Sequence, residues 1–367
     1  MKTFADLVEE VQKPGLCHHC SGCVTFCTAI NYGALELGAD GSPRYRDRDQ
    51  CIACGICYAI CPEIGEHEEE TKRHLGWTPP IGRVAGVRVA RSKAPEVGAE
   101  ATDGGVVTGL LLGLLDKGRI DGAIVSKKTG PFRREPWLAL TRDDLLAAAG
   151  FHFDTSHGME RFSEIYSTYS PSVGQIHQLA EKRLTRVAMV GTPCQINTLR
   201  RMEVLGVVPT DAIRYYFGLF CAGNFEFGEQ ERRQLEELGN FKWEDVLKIN
   251  LKEELMIHLR DNQVRFIPLD RLDFMKRHAC SYCQDYSCEF ADLSFGGIGA
   301  PEGWTTVITR SEVGETLLSE AINNYKDIEE YDRNSNPRFI REALRRVLDH
   351  SDLKKQRART ERQKIAV

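Results

Sequence analysis

A chain of 367 residues that is 42% hydrophobic and carries a formal charge of −5 is long enough for two or three domains with real cores, and its charge favours neither nucleic acid nor a membrane surface. Thirteen cysteines without an evident export signal argue against a disulfide framework and for metal or redox chemistry in a cytoplasmic protein, at most peripheral to a membrane complex. The longest apolar run, Val106 to Leu115, falls short of the ~20 residues that span a bilayer, so no membrane insertion is expected.

The first residues, MKTFADLVEEVQKP, mix acids into an apolar stretch and predict an amphipathic helix rather than a signal peptide. Cys17, Cys20, Cys23 and Cys27 then follow the spacing C-x2-C-x2-C-x3-C, and Cys51, Cys54, Cys57 and Cys61 repeat it with Pro62 behind. Three thiolates on a tight loop can cap one face of a cubane while the fourth, on the following helix, reaches the other cluster. The expected sets are therefore Cys17, Cys20, Cys23 and Cys61 for one [4Fe–4S] cluster, and Cys51, Cys54, Cys57 and Cys27 for the other. Zinc ribbons use two separated pairs and have no use for the third cysteine of each run. Gly22 and Gly55 are expected to let the loops approach inorganic sulfur, and His18 and His19 to be polar loop residues.

After Pro79 and Pro80 the pattern changes to alternating strands and helices, which places a ferredoxin domain at 1–75 and a second body at 82–330. The body predicts strands over 83–90, 122–126, 186–190 and 214–220. A buried helix ends at Gly118, and a second helix carries a capping box from Thr141 to Asp144. The fold class is α+β, a bacterial-type ferredoxin domain followed by an α/β layered body. Thr102 to Gly105 precede the first body helix, whose amides could receive a phosphate or a flavin edge.

Cys194 and Cys221 each follow an apolar strand directly, at the strand ends where α/β folds build their sites. Cys280 and Cys283 form a C-x2-C pair that completes four, so a third [4Fe–4S] cluster is expected on these residues, with Cys288 as the spare. Over 331–367 a basic segment predicts a helix with Ile340, Leu344, Val347 and Leu348 on one face. It reads either as a solvated terminal helix or as a docking arm for a partner protein.

The blocks GGVVTGLLLGLLDKGRIDGAIV, VGTPCQINTLRR, GLFCAGNF and CSYCQDYSCEFADLSFGGIGAPEGWTTVITR resemble, in order, those of the family of coenzyme F420 hydrogenase/dehydrogenase beta subunits over about residues 85 to 325. The chain departs from that pattern in reading ATDGG where a serine-rich turn is common, and in Cys288 where a small residue is common. The resemblance implies FAD in the body beside the third cluster, and coenzyme F420 as substrate. The flavin contacts expected are Thr102, Gly104, Gly105, Thr108, Gly191, Thr192, Asn224, Gly297, Gly299 and Trp304.

The expected function is electron transfer: hydride exchange between coenzyme F420 and FAD, then single electrons through the clusters to a redox partner such as a hydrogenase, formate dehydrogenase, heterodisulfide reductase or respiratory complex. That chemistry belongs to the cofactors, and no catalytic acid or base is assigned. Two alternatives remain at this point. One is a flavin reductase using NAD(P)H or another organic substrate; the other is a polyferredoxin-like relay with no substrate site.

Overall fold

The computed structural model describes residues 1–365 apart from 30–32, 39, 131–132, 151–152, 155–171, 208–209, 227 and 252–253. The body is built on an eight-stranded mixed sheet. In chain order its strands are β1 (Gly86–Ser92), β2 (Gly122–Gly130), β3 (Arg133–Ala139), β4 (Val187–Gly191), β5 (Ile213–Leu219), β6 (Leu293–Gly296), β7 (Thr305–Thr309) and β8 (Ile328–Glu330). Their spatial order is β8-β1-β7-β6-β5-β4-β2-β3. The central strands β2, β4, β5 and β6 run parallel, and the outer neighbours pair antiparallel. Strand β4 reads VAMVG without alternation because both its faces are covered, as a central parallel strand requires.

One face of the sheet packs against α1 (Val106–Asp116) and α3 (Glu312–Asn323), through Leu110, Leu114, Leu317 and Leu318. On the other face lies α2 (Pro193–Val204), with Ile196, Leu199 and Met202 in a second core. Phe26 and Ile60 of the cysteine-rich domain belong to that same core. The two domains are therefore welded rather than merely linked. Arg201, buried on α2, donates to the carbonyls of Cys61, at 2.9 Å, and Ile64. Trp77 donates to Glu289 across 2.8 Å.

The strand ends expected from sequence lie within a few residues of those observed, and the Thr141–Asp144 capping box is present. Residues 225–275, which carry no expectation from sequence, contain a separate small sheet of strands Val246–Leu251, Glu254–Leu259 and Val264–Pro268, edged by Phe153–Asp154. It closes its own core with the helix Glu229–Gly239 through Leu235, Ile249 and Ile257.

The terminal basic segment is one long helix, α4 (Pro337–Ile365). One face of it is exposed and the other packs on the body. Ala343, Val347, Ser351 and Ala358 are all buried, and Ile340, Leu344 and Leu348 pack on Ile81, Val87, Ile298 and Ile308. Near the far end of α4, Arg362 reaches Glu63 of the cysteine-rich domain at 2.6 Å. Among the described residues no helix is long and apolar enough to cross a membrane.

Candidate functional site

In the cysteine-rich domain, the two loops hold His19, Ser21 and Ala53 at positive φ, a conformation costly enough in non-glycine residues to mark a tightly wrapped backbone. The thiols border two small voids, and Cys57 lies on both. Cys17, Cys20, Cys23 and Cys61 border one small void together with Cys57, Leu7 and Ile60. Cys27, Cys51, Cys54 and Cys57 border another with Phe4 and Phe26. Thiols spread round a void suit a multi-atom cluster. Among the described residues no three His, Cys, Asp or Glu side chains converge closely enough to hold a single ion.

The two glycines expected to face sulfur have other neighbours. A Cβ on Gly22 would fall 2.2 Å from Cγ2 of Thr198 on α2, and one on Gly55 would meet Lys2 and Met1 of the N-terminal segment. Gly22 thus sets how closely the domain approaches the body. His18 is also more than a loop residue. It is buried, pairs with Glu63 at 2.7 Å and lies close enough to Cys280 for its charge to bear on that thiol.

The remaining cysteines come together from three separate segments. Cys194 lies in the first turn of α2, where the helix N-terminus favours a thiolate. Cys221 follows β5 by two residues. Cys280 lies in the short helix His278–Ser281, with Cys283 just beyond it. Two of these thiols feel the charge of others in the set: Cys283 bears on Cys194, and Cys280 and Cys283 bear on Cys221. Burial pushes the Cys194 thiol up to about 12 and that of Cys221 up to about 11. Cys280 is buried too, but the nearby His18 and the Asn224 amide, 3.3 Å away, bring it down to about 7. Metal ligation needs thiolates, and cationic iron offsets the cost of burying them. Cys288 is fully buried with its sulfur against Gly218 of β5, and it too feels the charge of Cys194 and Cys221.

The helix α2 links this set to the cysteine-rich domain. Thr192 Oγ1 lies 3.3 Å from Cys194 Sγ. One turn along, Thr198 Oγ1 lies 3.4 Å from Cys20 Sγ, because residues i and i+4 share a helix face.

A cavity of about 290 Å³ opens at the carboxyl ends of the parallel strands, lined by Val125 and Ser126 of β2, Val190 and Gly191 of β4, Leu219 of β5 and Phe295 of β6. This is where open α/β sheets place ligands. The start of α1 forms its opposite wall with Gly105, Val106, Val107 and Thr108. Gly105 caps α1 at φ +67° with no side chain to bond the first amides, which suits a phosphate. Apolar walls with an amide-rich edge fit a flavin nucleotide.

Of the flavin contacts expected, Thr102, Gly105, Thr108, Gly191, Thr192, Asn224 and Gly297 line the cavity. Gly104, Gly299 and Trp304 do not. Their neighbours explain why. A Cβ on Gly104 would strike the Ala90 carbonyl at 2.6 Å, and one on Gly299 the Ala343 carbonyl at 2.7 Å. Trp304 lies under the Arg91 guanidinium and meets Tyr331 edge-on. Sequence reasoning missed Phe220, Gly223 and Tyr286, which also line the cavity; Phe220 and Gly223 flank Cys221, and that adjacency was the available signal.

The family described as "Coenzyme F420 hydrogenase/dehydrogenase, beta subunit" matches in two parts, an N-terminal region over residues 87–161 and a C-terminal region over 184–334, and a 4Fe-4S dicluster domain matches 9–72. The coenzyme F420 hydrogenase subunit beta of Methanothermobacter thermautotrophicus is 33% identical over 66% of this chain and 83% of its own length. A component of the F(420)H(2) dehydrogenase of Methanosarcina mazei is 25% identical over 84% of this chain and 83% of its own. Among solved structures, a chain of the F420-reducing [NiFe] hydrogenase complex from Methanosarcina barkeri superposes with a TM-score of 0.65 at 25% identity, over 78% of this chain and 94% of that one. The chain therefore belongs to the family of coenzyme F420 hydrogenase/dehydrogenase beta subunits, with a 4Fe-4S dicluster domain ahead of the family body.

Proposed function

We propose that this chain is the deazaflavin-facing subunit of a redox complex, exchanging hydride with coenzyme F420 at FAD and relaying single electrons to a partner of hydrogenase type. The observation that carries this reading is the shared wall between cavity and cysteines. Cys221 lines the cavity, while Thr192 and Asn224, also in its lining, touch the sulfurs of Cys194 and Cys280. A bound flavin would supply the conversion between two-electron and one-electron transfer.

The chain's own residues do the positioning. The amides at the start of α1 would hold phosphate, and the apolar strand ends would exclude water from the ring. Cys194, Cys221, Cys280 and Cys283 would hold the cluster beside it. The path then has an order. The site of Cys17, Cys20, Cys23 and Cys61 adjoins the body through the contacts of Thr198 with Cys20 and of His18 with Cys280. The site of Cys27, Cys51, Cys54 and Cys57 lies beyond it, under the exposed residues Ile52 and Ala53, where a partner would collect electrons.

Anaerobic mixing of the loaded protein with reduced coenzyme F420, NADH and NADPH in turn, followed by flavin absorbance, tests the reading. Bleaching by reduced F420 alone is expected. Equal bleaching by a nicotinamide would select the flavin-reductase alternative, and a colourless supernatant after acid precipitation would select the bare relay.

A further inference from the structure

Lys354 is the one buried lysine among the described residues. It extends the buried stripe of α4 formed by Ala343, Val347, Ser351 and Ala358. Its Nζ donates to the carbonyls of Cys221, at 2.7 Å, and Asp285, at 2.8 Å. These carbonyls belong to the two segments that carry Cys221 and Cys283. Among the described residues no carboxylate forms an ion pair with it; the nearby Asp285 carboxyl instead accepts the Glu289 amide at 2.9 Å. A buried ammonium satisfied by neutral carbonyls still needs countercharge, because burying an unpaired charge costs several kcal/mol. The thiols of Cys283, Cys221 and Cys280 are the charges it feels most, ahead of the Asp285 carboxyl. Lys276, half-buried with its stem against Gly223, also feels Cys280, but burial and the charges of Arg357 and Lys354 bring it down to about 8.

We infer that Lys354 is a positioning residue for electrons: its fixed charge raises the reduction potential of the body cluster, with Lys276 as a weaker companion. The inference rests on reading Cys194, Cys221, Cys280 and Cys283 as a cluster site. Four thiolates outweigh the charge of an iron–sulfur core, and reduction adds one more negative charge. A cation held in a low-dielectric setting therefore favours the reduced form, and net local charge is one of the quantities that set cluster potential. The consequence is directional. The cluster beside the flavin becomes a ready acceptor for its electrons.

The test is a redox titration of the anaerobically reconstituted full chain, followed by paramagnetic resonance, for the unaltered protein, Lys354→Met and Lys354→Arg. Lys354→Met should shift the body cluster towards the oxidised form by tenfold or more, about 59 mV for one electron. Lys354→Arg should retain most of the original potential, and the two ferredoxin signals should not move. An unchanged potential in Lys354→Met, or an equal fall in both variants, overturns the inference. If Lys354→Met cannot retain its iron, Lys276→Gln decides: a smaller fall in the same direction supports the inference, and no fall overturns it. Iron analysis of the unaltered protein keeps the two claims separate, since about eight atoms rather than about twelve would remove the cluster reading itself.

Discussion

Cys194 and Cys288 carry the same side chain to opposite ends. Cys194 opens a helix beside three other cysteines, whereas Cys288 fills the space left by Gly218. Cys194→Ser should remove about a third of the iron and leave the ferredoxin signals in place, because the set at risk is one of three. Cys288→Ser should keep the iron but lower stability by about 1–3 kcal/mol, the cost of burying a hydroxyl in an apolar niche; a denaturant titration measures it. Loss of body-cluster iron in Cys288→Ser would reverse the choice of spare. The cavity has its own probe in Thr108, which faces it from α1. Thr108→Phe should weaken FAD retention at least tenfold, read as flavin-to-protein ratio after gel filtration, with ferredoxin iron intact. Gly105 is a poorer probe because a Cβ there strikes Val97 at 2.6 Å and tests packing instead.

At the scale of elements, α4 shows what charge alone conceals. Its ten basic residues between Arg338 and Lys364 suggested a surface arm, and Ile340, Leu344, Val347 and Leu348 marked one apolar face. The continuation of that face through Ser351, Lys354 and Ala358 was not legible, because small and charged residues do not announce burial. Removing residues 338–367 should therefore lower the unfolding temperature and cost the body cluster, rather than only weaken partner association. A truncated chain that keeps full iron and full dye reduction would restore the docking-arm reading. The ferredoxin loops were legible because their ligands are close in sequence. The third cysteine set was legible only through strand ends, since α2, β5 and the segment 278–283 meet by tertiary packing. Gly104 and Gly299 misled for a related reason: glycine marks close approach, and here the approaching group is backbone. The small sheet over 246–268 was missed, although Glu254–Leu259 alternate in burial as a half-covered strand does.

For the whole molecule, the domains share a core and an ion pair, and a line of contacts runs from the cavity through the body cysteines to the ferredoxin domain. The central claim is that α2 carries that line, with Cys194 at the cavity side and Thr198 against Cys20. The direct measurement is freeze-quenched paramagnetic resonance after anaerobic mixing with reduced coenzyme F420, comparing the unaltered protein with Cys194→Ser. The account predicts that flavin bleaches in both, while the ferredoxin clusters become reduced within the mixing time only in the unaltered protein. Ferredoxin clusters that reduce equally fast in Cys194→Ser would contradict it.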